Sequence, residues 1–216
     1  MKSKVPKIMH CIWVWPLPPP MKWINSWKEK HPDWEYILRG NEELENIARV
    51  NKNAMNAFQA RKKRAGIADC MRYEILYQYG WILHAADSMC LNSVDELFET
   101  GHKNYVVDTS HKEWHELLEK NKNSVAPLYA CKAGSELAKD LIEAVGKVEK
   151  YISPALTVWN RLMQKLLNSW KDYNVKTRPQ HLFLPTHYNW YKYEGKDKVY
   201  ATHFWGTTKW TYKQWL

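Results

Sequence analysis

One run of the chain, from Ile67 to Asp87, limits the fold more than any other. Ile67, Met71, Ile75 and Tyr79 recur every fourth residue with Leu76 beside them, the spacing of one apolar face of an amphipathic helix. Gly80 stands where such a helix stops, and Trp81-Ile82-Leu83-His84-Ala85 then reads as a short, largely apolar strand. A strand of that kind must be buried in a sheet and covered by a helix, so the class is α/β. In open α/β sheets ligands gather beyond the carboxyl ends of the strands, and Asp87 falls there, placed for a bound cation. An Asp in that position more often closes a turn or caps a helix. Asp69 and Arg72 lie three apart on one helix face. They form either a plain ion pair or an acceptor and a fork donor aimed at one ligand. Arg61-Lys62-Lys63-Arg64, just before, is a solvated basic face or an approach to a diphosphate.

The flanking segments alternate in the same way. Val5–Val14 reads as a buried strand ended by Pro16 and Pro18-Pro19-Pro20, Met21–Lys30 as a helix stopping before His31-Pro32, and Trp34–Leu38 as a second strand. Helices are expected over 41–63, from Asn92 or Ser93 to Phe98, over 135–150 and over 154–170. Strands are expected at 105–107, 128–131, 182–184 and 200–204. No repeat, low-complexity block or linker interrupts the 216 residues, so one domain is expected over 1–216.

Composition narrows the function classes. The longest apolar stretch, Ile8–Met21, carries His10 and four prolines and cannot span a bilayer as a helix. The N-terminus lacks the apolar core of a signal peptide; a cytoplasmic protein with no membrane span is expected. Cys11, Cys70, Cys90 and Cys131 lie far apart without zinc-type spacing, so reduced, buried thiols are expected. A net charge of +9 favours anionic partners. The 13 Trp and 13 Tyr against 4 Phe suit sugar rings, bases and wet clefts, although core filling is their commoner use. Single-strand nucleic-acid binders also combine charge with aromatics, but no RRM, KH or zinc motif is present and the lysines are dispersed. No nucleic-acid partner is expected. P-loop, GxGxxG and GxSxG motifs are absent too.

Six collinear segments resemble one family. PKIMHCIW at 6–13, HPDWEYIL at 31–38, RAGIADCMRYEILYQYGWIL at 64–83, AADSMCLNSVDEL at 85–97, SPALT at 153–157 and HFWGTTKW at 203–210 are similar to the sugar-binding-region glycosyltransferases that carry a DXD motif. That family includes yeast initiating α-mannosyltransferases and resembles the catalytic domains of clostridial glucosylating toxins. The resemblance implies a GT-A fold, a twisted mixed sheet flanked by helices, with residues to about 100 binding a nucleotide-sugar and the remainder forming an acceptor half and a C-terminal lid. It implies a retaining transfer, with Mn²⁺ or Mg²⁺ as cofactor, from a donor expected to be a UDP-sugar (GDP-mannose is used elsewhere in the family) to a glycan or other hydroxyl acceptor.

By the same resemblance, His10, Ile12 and Trp13 line the nucleotide pocket and Arg64 approaches the diphosphate. Asp69 and Arg72 hold the donor sugar and its phosphate. Asp87 is the metal-binding second Asp of DXD, and His203 is a further metal ligand. Trp205, Thr208 and Trp210, with Tyr188–Tyr193, form the lid and acceptor wall. The first Asp of DXD is replaced by Ala85. Strand alternation points His84 away from Ala85's face, so it does not substitute. Losing that charged acceptor is worth about 1.5–3 kcal/mol, which keeps open a second reading as a weakened or inactive binder of nucleotide-sugar or glycan.

Overall fold

The computed structural model describes residues 6–47, 50–98, 101–108, 125–149, 153–154, 158–187 and 192–205. Its centre is a mixed sheet of six strands. Strands β1 (Ile8–Ile12), β2 (Glu35–Arg39) and β3 (Trp81–His84) run parallel, with His10 level with Ile37 on one side and Leu83 on the other. A short ribbon strand, β4 (Ser88–Cys90), follows β3. Strands β5 (Asn104–Asp108), β6 (Val125–Cys131) and β7 (Val175–Arg178) complete the sheet in the order β2-β1-β3-β6-β5-β7. Strand β6 is antiparallel to both its neighbours, and β7 is parallel to β5.

Strand alternation divides the core into two layers. Ile12, Leu83, Val106, Tyr129 and Cys131 face α3 (Lys52–Ala60), α4 (Arg64–Tyr79), α5 (Glu136–Gly146) and α6 (Asn160–Leu167). Met9, Tyr105, Val107, Leu128 and Ala130 point the other way, into a layer that includes Trp27 of α1 (Met21–Lys30), Phe98 and Phe183. The α/β class and the mixed, helix-flanked sheet are therefore as expected. Among the described residues no helix is long and apolar enough to cross a membrane. All four cysteines are buried and free.

Helix α4 is buried on most of its circumference, including Asp69, Arg72 and Glu74. It needs close approach at two glycines. A Cβ on Gly66 would sit 2.5 Å from the Phe58 ring of α3. Gly80 has φ +64° with Ala133 N only 2.8 Å from where a Cβ would be, so the turn from α4 into β3 admits no side chain.

Several expected elements differ. The helix over 41–63 is broken into a 3₁₀ turn at Asn41–Glu43, α2 (Leu44–Ile47) and α3. The break comes at Asn51, which is buried and turned inward: its side chain donates to the Ile142 carbonyl and its N–H to Glu74 Oε1. Asp95–Phe98 and Gln180–Leu182 are 3₁₀ turns, not a full helix and a strand. Strand β7, with Val175 its single apolar residue, was not anticipated; it lies at the sheet edge, where burial does not impose an apolar pattern. Of the helix expected over 154–170, the structure describes α6; residues 155–157 lie outside the described residues. A second sheet pairs β4 with β8 (Ala201–His203), antiparallel, with Ser88 opposite His203.

Candidate active site

The chain builds β2 on one side of β1 and β3 on the other, so the strand order reverses between β1 and β3. The crevice beyond their carboxyl ends is where an open α/β sheet takes a ligand. Asp87 lies two residues past Ala85 at the end of β3, and Trp13 follows β1 directly.

Asp87 is 5% exposed. Its Oδ1 is 3.0 Å from His203 Nε2. The backbone N–H of Trp205 donates to His203 Nδ1 at 3.1 Å, so the ring's own proton sits on Nε2 and is donated to the carboxylate. The ladder between Ser88 and His203, and the Phe204 N–H bond of 2.8 Å to the Asp87 carbonyl, fix both backbones.

Arg72 supplies the opposite charge. It is 8% exposed, and its Nη2 lies 3.4 Å from Asp69 Oδ1. Among the described residues its Nε and Nη1 are buried without a hydrogen-bond partner, which is costly unless a ligand satisfies them. Trp159 covers the guanidinium at 4.1 Å and stacks on Tyr73 at 5.8 Å. Burial pushes the Asp69 carboxyl up to about 6, against the opposing pull of Arg72. Both site charges reach Cys11 in β1. Burial pushes its thiol up to about 12 and the Tyr36 hydrogen bond lowers it; Asp87 adds to the rise and Arg72 opposes it.

The other expected residues fall in several places. Trp13 packs with Cys11, Ile24 and Ala86, and its indole N–H donates to the Leu17 carbonyl at 2.8 Å. Arg64 Nη1 donates to the Val14 carbonyl at 3.0 Å, tying the start of α4 to the chain just beyond β1. Ala85 is half-buried, and its carbonyl accepts from Ser88 Oγ at 2.6 Å. Trp205 stands edge-on to His203 at 4.5 Å and donates through Nε1 to the Thr186 carbonyl. Ile12 belongs to the core against α4. His10 is fully buried, with Nε2 donating to the Gly80 carbonyl at 2.6 Å. Burial pulls it down to about 4, the Gly80 bond opposing and Arg39 adding; it is a neutral strut between β1 and the α4–β3 turn. His84 is buried too, stacked on Trp27 at 4.2 Å and accepting from the Tyr36 hydroxyl. Thr208, Trp210 and Tyr188 lie outside the described residues; Tyr193 stacks on His181 and donates to Asp197. Trp159 was not anticipated; its only signal is its place two residues after the SPALT segment.

Among the described residues no group of three His, Cys, Asp or Glu side chains converges to cage a metal. A cation that arrives with a diphosphate needs less, because Mg²⁺-type sites use one or two carboxylates completed by phosphate oxygens and water. Asp87, buried at the strand end, fits that requirement.

Comparison with known proteins matches the stretch of chain that carries several of these residues. Residues 20–107, which contain Asp69, Arg72, Ala85 and Asp87, match the family model for a glycosyltransferase sugar-binding region containing a DXD motif. The match covers less than half of the chain and makes this segment similar to such a region. The chain is 34% identical over 99 residues to inositol phosphoceramide mannosyltransferase 3 of Schizosaccharomyces pombe, covering 44% of this chain and 28% of that protein. It is 30% identical over 102 residues to inositol phosphoceramide mannosyltransferase 1 of the same yeast, covering 44% of this chain and 32% of that protein. The match thus spans about a third of each relative's length. Among solved structures, PaToxG Glycosyltransferase aligns with a TM-score of 0.54 at 12% identity, over 76% of this chain and 68% of that one. Likeness at that identity identifies the fold, which is GT-A. The matched stretch runs from the end of the proline segment through α1, β2, α4 and β3 into β5, and leaves β1 outside it.

Proposed function

We propose that the protein is a metal-dependent glycosyltransferase that moves a sugar from a nucleoside-diphosphate donor to a hydroxyl acceptor with retention of configuration. The observation that carries this reading is a buried guanidinium with two nitrogens that have no hydrogen-bond partner among the described residues, within electrostatic reach of the same β1 residue, Cys11, as the buried Asp87 carboxylate. A diphosphate with its cation satisfies both. In this reading residues to about 100 form the donor half, and residues from about 101 form the acceptor half and lid of a single domain. The donor to test first is a UDP-sugar; the two yeast relatives, mannosyltransferases by name, make a mannosyl donor the next.

A divalent cation held by Asp87 would supply neutralisation of charge on the departing diphosphate. Arg72 adds fixed donors that need no reorientation as that charge develops, and the Trp159 ring keeps the guanidinium in place. Arg64 extends the positive charge toward the start of α4. Asp69 holds Arg72 and accepts from a donor hydroxyl. The acceptor hydroxyl attacks from the face the diphosphate leaves, which requires no protein nucleophile. Trp205 contributes an aromatic wall against the acceptor.

Ala85 favours a second reading, in which the same fold binds the nucleotide-sugar without turning it over. Calorimetric titration of UDP, GDP and CMP with Mn²⁺, repeated with EDTA, tests the site. Binding of one nucleotide that disappears with EDTA and with Asp87→Asn is expected. Binding indifferent to both would refute the metal role. Donor hydrolysis then separates an enzyme from a silent binder.

A further inference from the structure

The Asp87–His203 pair carries a distinction that the donor reading leaves open. Resting on that reading, we propose that His203 is a positioning residue for Asp87 and not a ligand of the cation. An imidazole binds a metal only through the nitrogen that carries no proton. Here Nδ1 is the acceptor, engaged by the Trp205 N–H at 3.1 Å, and Nε2 is the donor, aimed at Asp87 Oδ1 at 3.0 Å. For Nε2 to coordinate, the ring proton must move to Nδ1, where it would meet the Trp205 N–H donor to donor.

Nor can the ring easily turn over. His203 is paired with Ser88 across the β4–β8 ribbon, Phe204 N–H is bonded to the Asp87 carbonyl, and the ring lies edge-on to Trp205. Turning the ring over would place carbon where each nitrogen now stands and lose both hydrogen bonds. What the arrangement provides is a donated hydrogen bond that fixes the rotation of the Asp87 carboxylate. Ligating carboxylates are commonly held by such a partner, and its loss lowers metal affinity about 10- to 100-fold.

The test uses the full chain with Mn²⁺ and UDP together as probe, since phosphate oxygens complete the cation's coordination. Pulsed electron spin-echo spectroscopy of bound Mn²⁺ is expected to show no directly coordinated ¹⁴N. His203→Gln, whose side-chain amide can donate to Asp87, should keep Mn²⁺ affinity within about threefold. His203→Ala, which removes the donor, should lose about tenfold or more. A strong ¹⁴N coupling in the wild type that vanishes in His203→Gln overturns the proposal while leaving the donor reading intact. Mn²⁺ affinity unchanged in Asp87→Asn, or no Mn²⁺ binding at all, overturns both. Should His203→Ala fail to fold, the wild-type spectrum and the His203→Gln affinity decide.

Discussion

Replacing Asp69 by Asn should make the protein more stable at neutral pH than in acid, relative to the wild type. Burial raises the Asp69 carboxyl from its ordinary 3.8 to about 6, against the pull of Arg72. The folded chain therefore holds this proton more tightly than the unfolded chain does. Its contribution to stability is complete below about 3.8 and is lost as pH rises through 6. At about 1.36 kcal/mol per pH unit, the interval from 3.8 to 6 amounts to about 3 kcal/mol. Asn cannot ionise, and every other titrating group is common to both proteins, so the difference between them isolates Asp69. Urea unfolding at several pH values between 4 and 7.5 should show the variant gaining about 2–3 kcal/mol on the wild type across the range. A difference that stays constant with pH would refute the reasoning. The same variant should bind donor more weakly, because the carboxylate that strains the fold is the one that orients Arg72.

Three further outcomes are expected. Gly80→Ala should cost at least about 2 kcal/mol, since φ is +64° and the added Cβ meets Ala133 N at 2.8 Å; an unchanged urea midpoint would contradict this. Burial pulls His84 down to about 3 from its ordinary 6.5, with the Ala85 bond opposing, so its contribution is present above 6.5 and lost as pH falls through 3. His84→Leu leaves the Tyr36 hydroxyl without this acceptor and is less stable at pH 7.5, but between pH 7.5 and 4.5 it should lose about 2–3 kcal/mol less than the wild type in the same urea series; parallel curves would count against it. Ala85→Asp, which completes the DXD pattern, should tighten donor binding about ten- to a hundredfold by calorimetry, and no gain would mean that this position does not face the donor.

What the residues revealed in advance was whatever burial enforces. Met21–Lys30 between two proline signals, α4 with its glycine stop and β3 with Asp87 beyond it were legible because each has a pattern that burial demands. Strand β7 was not, because an edge strand need not be apolar. The helix expected over 41–63 broke at Asn51, whose partners Glu74 and Ile142 are distant in sequence and invisible to a local pattern. The same limit applied at the candidate site. Asp69, Arg72 and Asp87 could be singled out from the chain, whereas the Trp159 ring over Arg72 and the donor role of His203 depend on contacts between residues far apart. His10 and His84 carry chemistry in their residue type alone; their surroundings keep them neutral.

The β4–β8 ribbon has a kinetic consequence. It joins Ser88 to His203 across more than a hundred residues of chain, and closing a loop of that size costs about 4 kcal/mol of entropy. Among the described residues a three-residue ladder, the backbone bonds from Leu91 and Asn92 to Tyr200 and from Phe204 to Asp87, and the contacts of Lys198 and Tyr200 with Glu96 offset it locally. Contacts of such long sequence separation form late. During synthesis, β1, β2 and β3 emerge and can assemble well before His203 leaves the ribosome. The crevice is therefore completed last, by the tail docking onto a sheet that already exists. The same ribbon is the natural first segment to open when the folded chain fluctuates, so the span that finishes the site also sets how often it is exposed to solvent.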